Sequence, residues 1–299
     1  MKGPAHRISV IAGRPTPPAG RCAASGISTL LPVSLCEPPV CVLRAFGADG
    51  AARRLPGGQG RSWVAGDVVL KPEAGPVHEW LGTALLGVTS EDVRLAVPIR
   101  TREGTWACAG WSATRWVEGD EPDYSAVQTW VQIVEAGRAF HRAVAHLPRP
   151  KCLAERQDWW ALADRTAWEE RGTIFHPAFV DLPRRLLEAV EPLGPSQVIH
   201  GDLTGNVLFA AGATAAVVDI SPYWRPPAYA EGIIVADALC WHSAPGSLLE
   251  TVGVSVAAVA RGLLFRMATT NAQVEGGAPG VDPKAEAQRY RLAAAAIGV

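Results

Sequence analysis

Lysine is nearly missing from this chain. Of 28 basic residues only Lys2, Lys71, Lys151 and Lys284 are lysines, so a lysine placed just after an apolar strand stands out. An excess of either charge is missing too, since 28 Lys and Arg face 29 Asp and Glu for a formal net charge of −1. That balance removes any global attraction to nucleic acid or to an anionic membrane. The six cysteines (Cys22, Cys36, Cys41, Cys108, Cys152 and Cys240) form no C-x-x-C pair, and no histidine stands at metal-finger spacing. No zinc site is expected, and reduced thiols in a cytoplasmic protein are. Long unbroken apolar runs are absent as well. "ISVIAG" is short and soon broken by Arg14, while "SLLETVGVSVAAVARGLLF" (247–265) is interrupted by Glu250 and Arg261, as suits a buried helix.

What is present is a 299-residue chain with 48% hydrophobic residues, enough for a well-buried core divided into two lobes. Residues 1–37 mix Pro, Gly, Ala, Ser and Arg without period and read as a disordered extension. "PPVCVLRAFG" (38–47) predicts a short helix stopped by Gly47. "RRLPGGQGRSWVAGDVVLKP" (53–72) predicts strand, glycine-rich turn, strand, tight turn at Gly66-Asp67, and strand. A helix over 78–88 and strands in "VRLAVPIRT" and "TWACAGWSATRWV" complete a small antiparallel lobe, 38–117. Helical spacing then dominates 118–299, over 125–147, 155–170, 181–193, 247–270 and 284–297, interrupted by one strand pair at 207–220.

The chemistry gathers at a few points. Gly57, Gly58 and Gly60 in "PGGQG" form either a plain hairpin turn or a flap whose backbone N–H groups approach phosphates. Lys71 ends the strand "DVVLK" and suits a point charge on nucleotide phosphates. Glu79, at the start of the next helix, is its expected partner, though an acid there also suits the helix dipole. "VIHGDLTGNVLF" (198–209) sets Asp202 and Asn206 on a polar loop, and a hairpin turning at Ala211-Gly212 brings Asp219 back beside Asn206. An amide and a carboxylate side by side are oxygen ligands that magnesium accepts. Asp202 then lies one step away, where it can receive a hydroxyl proton. "SPYWRPPAY" (221–229) offers Arg225 either to an anion or as a brace for the lobe.

"HGDLTGN" followed by "VVDIS", with the upstream flap and Lys71, resembles the aminoglycoside phosphotransferase and small-molecule kinase superfamily over about residues 38–245. The resemblance implies an α+β, protein-kinase-like two-lobe fold that binds ATP and Mg2+ and phosphorylates a hydroxyl of a small molecule. It casts Asp202 as catalytic base, with His200 and Gly201 as its lead-in. Asn206 and Asp219 become metal ligands, and Lys71 the phosphate lysine. Arg115, Trp116 and Val117, in "ATRWVEG", would be the hinge that meets adenine, and Asp237 would tie down the catalytic loop from a large-lobe helix. One departure stands out: three residues, Leu203 to Gly205, separate Asp202 from Asn206 where the family usually has four. Either Gly205 gives the loop a tighter path or the metal geometry differs. The alternative function is a nucleotide-binding pseudokinase that acts as a regulatory or interaction protein. Apart from "EGDEPD" (118–123) the large lobe has no dominant acidic cluster, which argues against a polycationic antibiotic as the native acceptor.

Overall fold

Residues 37–56, 60–72 and 74–299 are described by the structure, a computed structural model. The expected extension at 1–37 lies, except for Glu37, outside the described residues. The chain enters after two prolines into helix α1 (Val40–Phe46), which stops at Gly47 with φ +63° as the N–H groups of Gly47 and Ala48 return to the carbonyls of Arg44 and Leu43. Strands β1 (Arg53–Arg54), β2 (Trp63–Ala65) and β3 (Val68–Lys71) follow. The tight turn at Gly66-Asp67 joins the last two, with Gly66 at φ +58°. Helix α2 (Pro76–Ala84) begins on a proline, whose missing N–H loses nothing there. Strand β4 (Arg94–Leu95) and strand β5 (Ser112–Arg115) complete the small lobe.

The small-lobe sheet is antiparallel in the order β1-β2-β3-β5, and its register sets Lys71 opposite Ser112. Period-two alternation points Val68 and Leu70 inward, onto Val42, Phe46, Trp111 and Ala113. Side chains such as Leu70 and Phe46 each contribute roughly 1.5–3 kcal/mol by leaving water. The expected strand over 93–101 divides its pairing: β4 itself pairs in parallel with a strand of the large lobe (below), while the residues after it join this sheet antiparallel, with Pro98 opposite Thr114 and the Ile99 N–H donating to the Ala113 carbonyl at 3.0 Å.

The large lobe opens with α3 (Val127–Val144), whose Trp130, Ile133, Val134, Phe140 and Val144 are buried at helical spacing. A 3₁₀ turn (Lys151–Glu155), α4 (Trp159–Ala167), a second 3₁₀ turn (Pro177–Phe179) and α5 (Leu182–Glu188) follow. Asp158 caps α4 by accepting the Ala161 N–H at 3.0 Å. Strands β6 (Gln197–His200), β7 (Val207–Leu208), β8 (Ala216–Val217) and β9 (Pro222–Arg225) lead into α6 (Pro227–Trp241), α7 (Leu248–Val252), α8 (Val256–Glu275) and α9 (Pro283–Ala296). The single expected strand pair is therefore two: β7 with β8, extended by β4, and β6 with β9. The expected helix over 247–270 breaks at Gly253, φ +68°, into α7 and α8.

Helix α6 lies outside the periodic pattern that marked the other helices. "YAEGIIVADALC" (229–240) is apolar on all sides because α6 is buried on all sides, so it has no polar face to reveal a period. It crosses α8 with the two backbones in contact. A Cβ on Gly232 would fall 2.0 Å from the Ala258 carbonyl oxygen, and one on Gly262 would fall 2.6 Å from that of Gly232. Among the described residues no helix is long and apolar enough to cross a membrane.

Candidate active site

The end of β3 and the end of the β7–β8 hairpin meet between the lobes. Lys71 Nζ lies 2.5 Å from Asp219 Oδ1. This corrects the expected Lys71–Glu79 pair. Leu81 and Leu85 fix the inward face of the α2 segment, and His78 shares that face three residues earlier, whereas Glu79 is turned about 100° away and is exposed. His78 is half-buried, and burial followed by the Lys71 charge lowers its pKa.

The hairpin sets Asn206 opposite Val218, the residue before Asp219. Val207 faces Val217, and the Val218 N–H donates to the Asn206 carbonyl at 3.0 Å. Asp219 sits just beyond, at φ +49°, a left-handed conformation that a non-glycine residue adopts at some strain and that recurs at functional sites. The short loop before Asn206 closes by turning tightly. Gly205 takes φ +81°, the Asn206 N–H donates to the Leu203 carbonyl at 3.0 Å, and Asn206 Nδ2 donates to the Asp202 carbonyl at 2.6 Å. The loop closes in a tight turn with Gly205 in the left-handed region. With its nitrogen so engaged, the Asn206 amide keeps Oδ1 as an acceptor without a protein partner among the described residues. An amide oxygen beside a carboxylate fits a hard divalent cation.

Asp202 is held from behind by a residue the sequence reading overlooked. Arg266, on α8, donates from Nη2 to Asp202 Oδ1 at 2.8 Å and from Nε and Nη2 to the Asp237 carboxylate at 2.7 and 2.6 Å. Asp237, on α6, thus reaches the loop that carries Asp202 through a guanidinium. The available signal was an arginine inside a helix too apolar to leave it in water, since a buried cation needs an anionic partner.

Two buried histidines hold the start of the loop. His200 Nδ1 accepts the Asp202 N–H at 3.1 Å, so its proton is on Nε2, which faces the Val218 carbonyl at 3.2 Å. The His200 N–H in turn donates to His141 Nε2 at 3.2 Å. Each ring accepts a backbone N–H and so is neutral, and burial lowers both pKa values, that of His141 to about 3. Tyr124 adds a further hold, its hydroxyl accepting the Gly205 N–H at 3.0 Å.

At the hinge, Arg115 ends β5 in an ion pair with Asp67, and the Trp116 N–H donates to the Asp67 carbonyl at 2.8 Å. Val117 makes no backbone hydrogen bond among the described residues, so its amide is available to a ligand. The chain then docks on the hairpin, where Asp120 and Phe209 exchange two backbone hydrogen bonds of 2.9 and 3.0 Å. Gly57 and Gly58 lie outside the described residues, while Gly60, at φ +65°, ends the connection between β1 and β2. Arg225 resolves as a brace, gripping Asp164 with Nε and Nη2 and Glu170 with Nη1 and Nη2. Cys41, Cys108, Cys152 and Cys240 are free thiols.

Residues 67–220, which run from the β2–β3 turn through Asp219, match the phosphotransferase enzyme family, and the chain belongs to that family. Its two-lobed, kinase-like fold is shared with solved structures of low sequence identity. One is an aminoglycoside phosphotransferase from Alicyclobacillus acidocaldarius, with 16% identity over 90% of this chain and 94% of that one, at a TM-score of 0.54. A second is a choline/ethanolamine kinase family protein from Mesorhizobium loti, with 19% identity over 85% and 90% and a TM-score of 0.50. A third is a thermostable mutant of aminoglycoside phosphotransferase APH(4)-Ia in ternary complex with ADP and hygromycin B, with 12% identity over 87% and 98% and a TM-score of 0.53. No curated protein sequence matches the chain.

Proposed function

We propose that this protein is an ATP- and magnesium-dependent phosphotransferase whose acceptor is a hydroxyl group of a small molecule. The observation that carries the reading is the Lys71–Asp219 contact of 2.5 Å between the lobes, with Asn206 in register opposite Val218, the residue before Asp219. Lys71 would move from Asp219 onto the nucleotide phosphates, and the Val117 backbone would meet the base. Asn206 Oδ1 and the Asp219 carboxylate would hold magnesium, which would supply neutralisation of phosphate charge during transfer. Asp202 would orient the acceptor hydroxyl and take its proton, a contribution of about 10²- to 10⁴-fold. Arg266 fixes the direction of that carboxylate, and the two neutral histidines fix the backbone that carries it. Positioning and charge neutralisation supply most of the acceleration in this class of reaction.

Calorimetric titration with ATP, at zero and saturating magnesium, tests the assignment without knowledge of the acceptor. Asp219→Asn is expected to abolish the magnesium-dependent tightening, because a neutral amide replaces a carboxylate at a hard cation. Asp202→Asn is expected to keep Mg-ATP binding and lose turnover, as an interaction used in the transition state does. Equal, magnesium-independent affinities in wild type and both variants would sink the metal-site assignment.

A further inference from the structure

A cavity of about 210 Å³ opens on the large lobe between the 3₁₀ turn and α4 on one side and β9 on the other. It begins next to the catalytic loop. Tyr223, in its wall, lies on the backbone of Gly201, so close that a Cβ there would sit 2.5 Å from the ring, and Gly201 directly precedes Asp202. The wall of the cavity thus rests on the backbone one residue before Asp202.

The charge of the lining is lopsided. Arg149, Arg156, Arg165 and Arg225 line it against two carboxylates, Asp164 and Glu170. Arg225 engages both of those carboxylates. Arg156 is engaged by the Asp158 carboxylate, through Nε at 2.9 Å and Nη2 at 3.1 Å, and by the Pro222 carbonyl at 3.2 Å. Arg165 and Arg149 form no ion pair with a carboxylate, although the charge of each is felt at Glu170, whose pKa they help to lower. Arg165 gives one Nη2 hydrogen bond to the Arg156 carbonyl at 2.8 Å and has further N–H groups to offer, and the exposed Arg149 makes no hydrogen bond among the described residues. Guanidinium groups with idle donors at the wall of a concave site are receptors for planar or tetrahedral oxyanions, which they bind with paired N–H groups. The same lining repels a polyamine.

From this lining we infer that the acceptor is itself an anion, a small hydroxylated molecule with a carboxylate or phosphate group that Arg165 and Arg149 hold while its hydroxyl faces Asp202. This inference rests on the phosphotransferase reading, and it narrows the acceptor class away from neutral polyols and from aminoglycosides.

The test measures ADP release by the full chain with Mg-ATP against three sets of hydroxyl compounds: hydroxy acids and sugar phosphates, neutral polyols, and aminoglycosides. Calorimetry of Mg-ATP binding runs beside it. Turnover confined to the anionic set is expected. Arg165→Ala and Arg149→Ala should each raise KM for the best anionic acceptor by about tenfold, with a smaller change in kcat, as loss of a charge-assisted hydrogen bond implies. Arg165→Lys should recover part of the loss, because charge returns without the planar fork. A best acceptor that is neutral or cationic, or an unchanged KM in both alanine variants, overturns the inference. Mg-ATP binding with no turnover of any anionic compound also overturns it and leaves the nucleotide site standing. Failure to bind Mg-ATP brings down the phosphotransferase reading and the inference together.

Discussion

Asp219 and Asp202 are both carboxylates held by a cation, and they are held in opposite ways. The Lys71–Asp219 contact joins two lobes, with side-chain exposures of 25% and 44%. Arg266, 7% exposed, joins Asp202 to Asp237, itself 1% exposed, on packed helices of one lobe. An ion pair open to water is worth about 0–1 kcal/mol and changes partners readily. A buried one has already given up its hydration, and removing one member leaves the other stranded. The first arrangement suits a carboxylate and a lysine that must part to receive a charged ligand. The second suits a carboxylate whose direction has to be set before the acceptor arrives.

Breaking the buried side should have the largest effect. Arg266→Ala is expected to lower the free energy of unfolding by about 3–5 kcal/mol, because Asp237 would stay buried without its guanidinium. Urea denaturation measures this, and a loss below about 1 kcal/mol would place the fork on the same footing as a surface pair.

The histidines behind the loop sharpen the contrast through pH. Unfolded histidine takes up a proton below about pH 6.5, whereas burial keeps folded His141 neutral down to about 3. Between those values the unfolded chain binds more protons, so stability is lost as pH falls through that window. The slope is roughly 1.4 kcal/mol per pH unit for one such histidine. Urea midpoints at pH 7, 6 and 5 should decline in that order, and His141→Gln should flatten the decline. A midpoint independent of pH would mean that the loop's supports are open to water.

The exposed side should show the smallest effect on stability and a larger one on ligand. Lys71→Ala is expected to change unfolding free energy by less than about 1 kcal/mol. ATP affinity should weaken on the order of tenfold through loss of one phosphate-binding cation. A destabilisation comparable with that of Arg266→Ala would erase the distinction between the two contacts.

The parts of the site that were legible in the sequence are local ones. The spacing from His200 to Asp219 is a loop and a hairpin, and local turn chemistry predicts both strands and the return of the chain opposite Asn206. Arg266 was not legible, because 63 residues separate it from Asp202 and its pairing depends on how α6 and α8 pack. Glu79 misled for a related reason: a charge one residue off the buried face of a helix points elsewhere, and spacing alone did not fix which face was buried. Helix α6 left no periodic trace because periodicity records contact with water. The strand read over 93–101 has two neighbours where one was expected, the small-lobe sheet near Pro98 and a large-lobe strand at β4, since so short a run specifies a conformation and not a partner.

The contact of α6 with α8 at Gly232 and Gly262 has a consequence for exchange with deuterated water. Backbones that touch leave no side-chain layer through which water can enter, so neither helix can release its central amides while the other stays in place. Amide exchange at the crossing should then follow opening of the whole lobe, and the protons on either side of Ile233 and Leu263 should be among the last to leave. Asp237 and Arg266 stand within two helical turns of that point, one on each helix. The carboxylate direction at Asp202 is thereby tied to a crossing expected to open late, although Asp202 itself sits on a loop that reaches solvent.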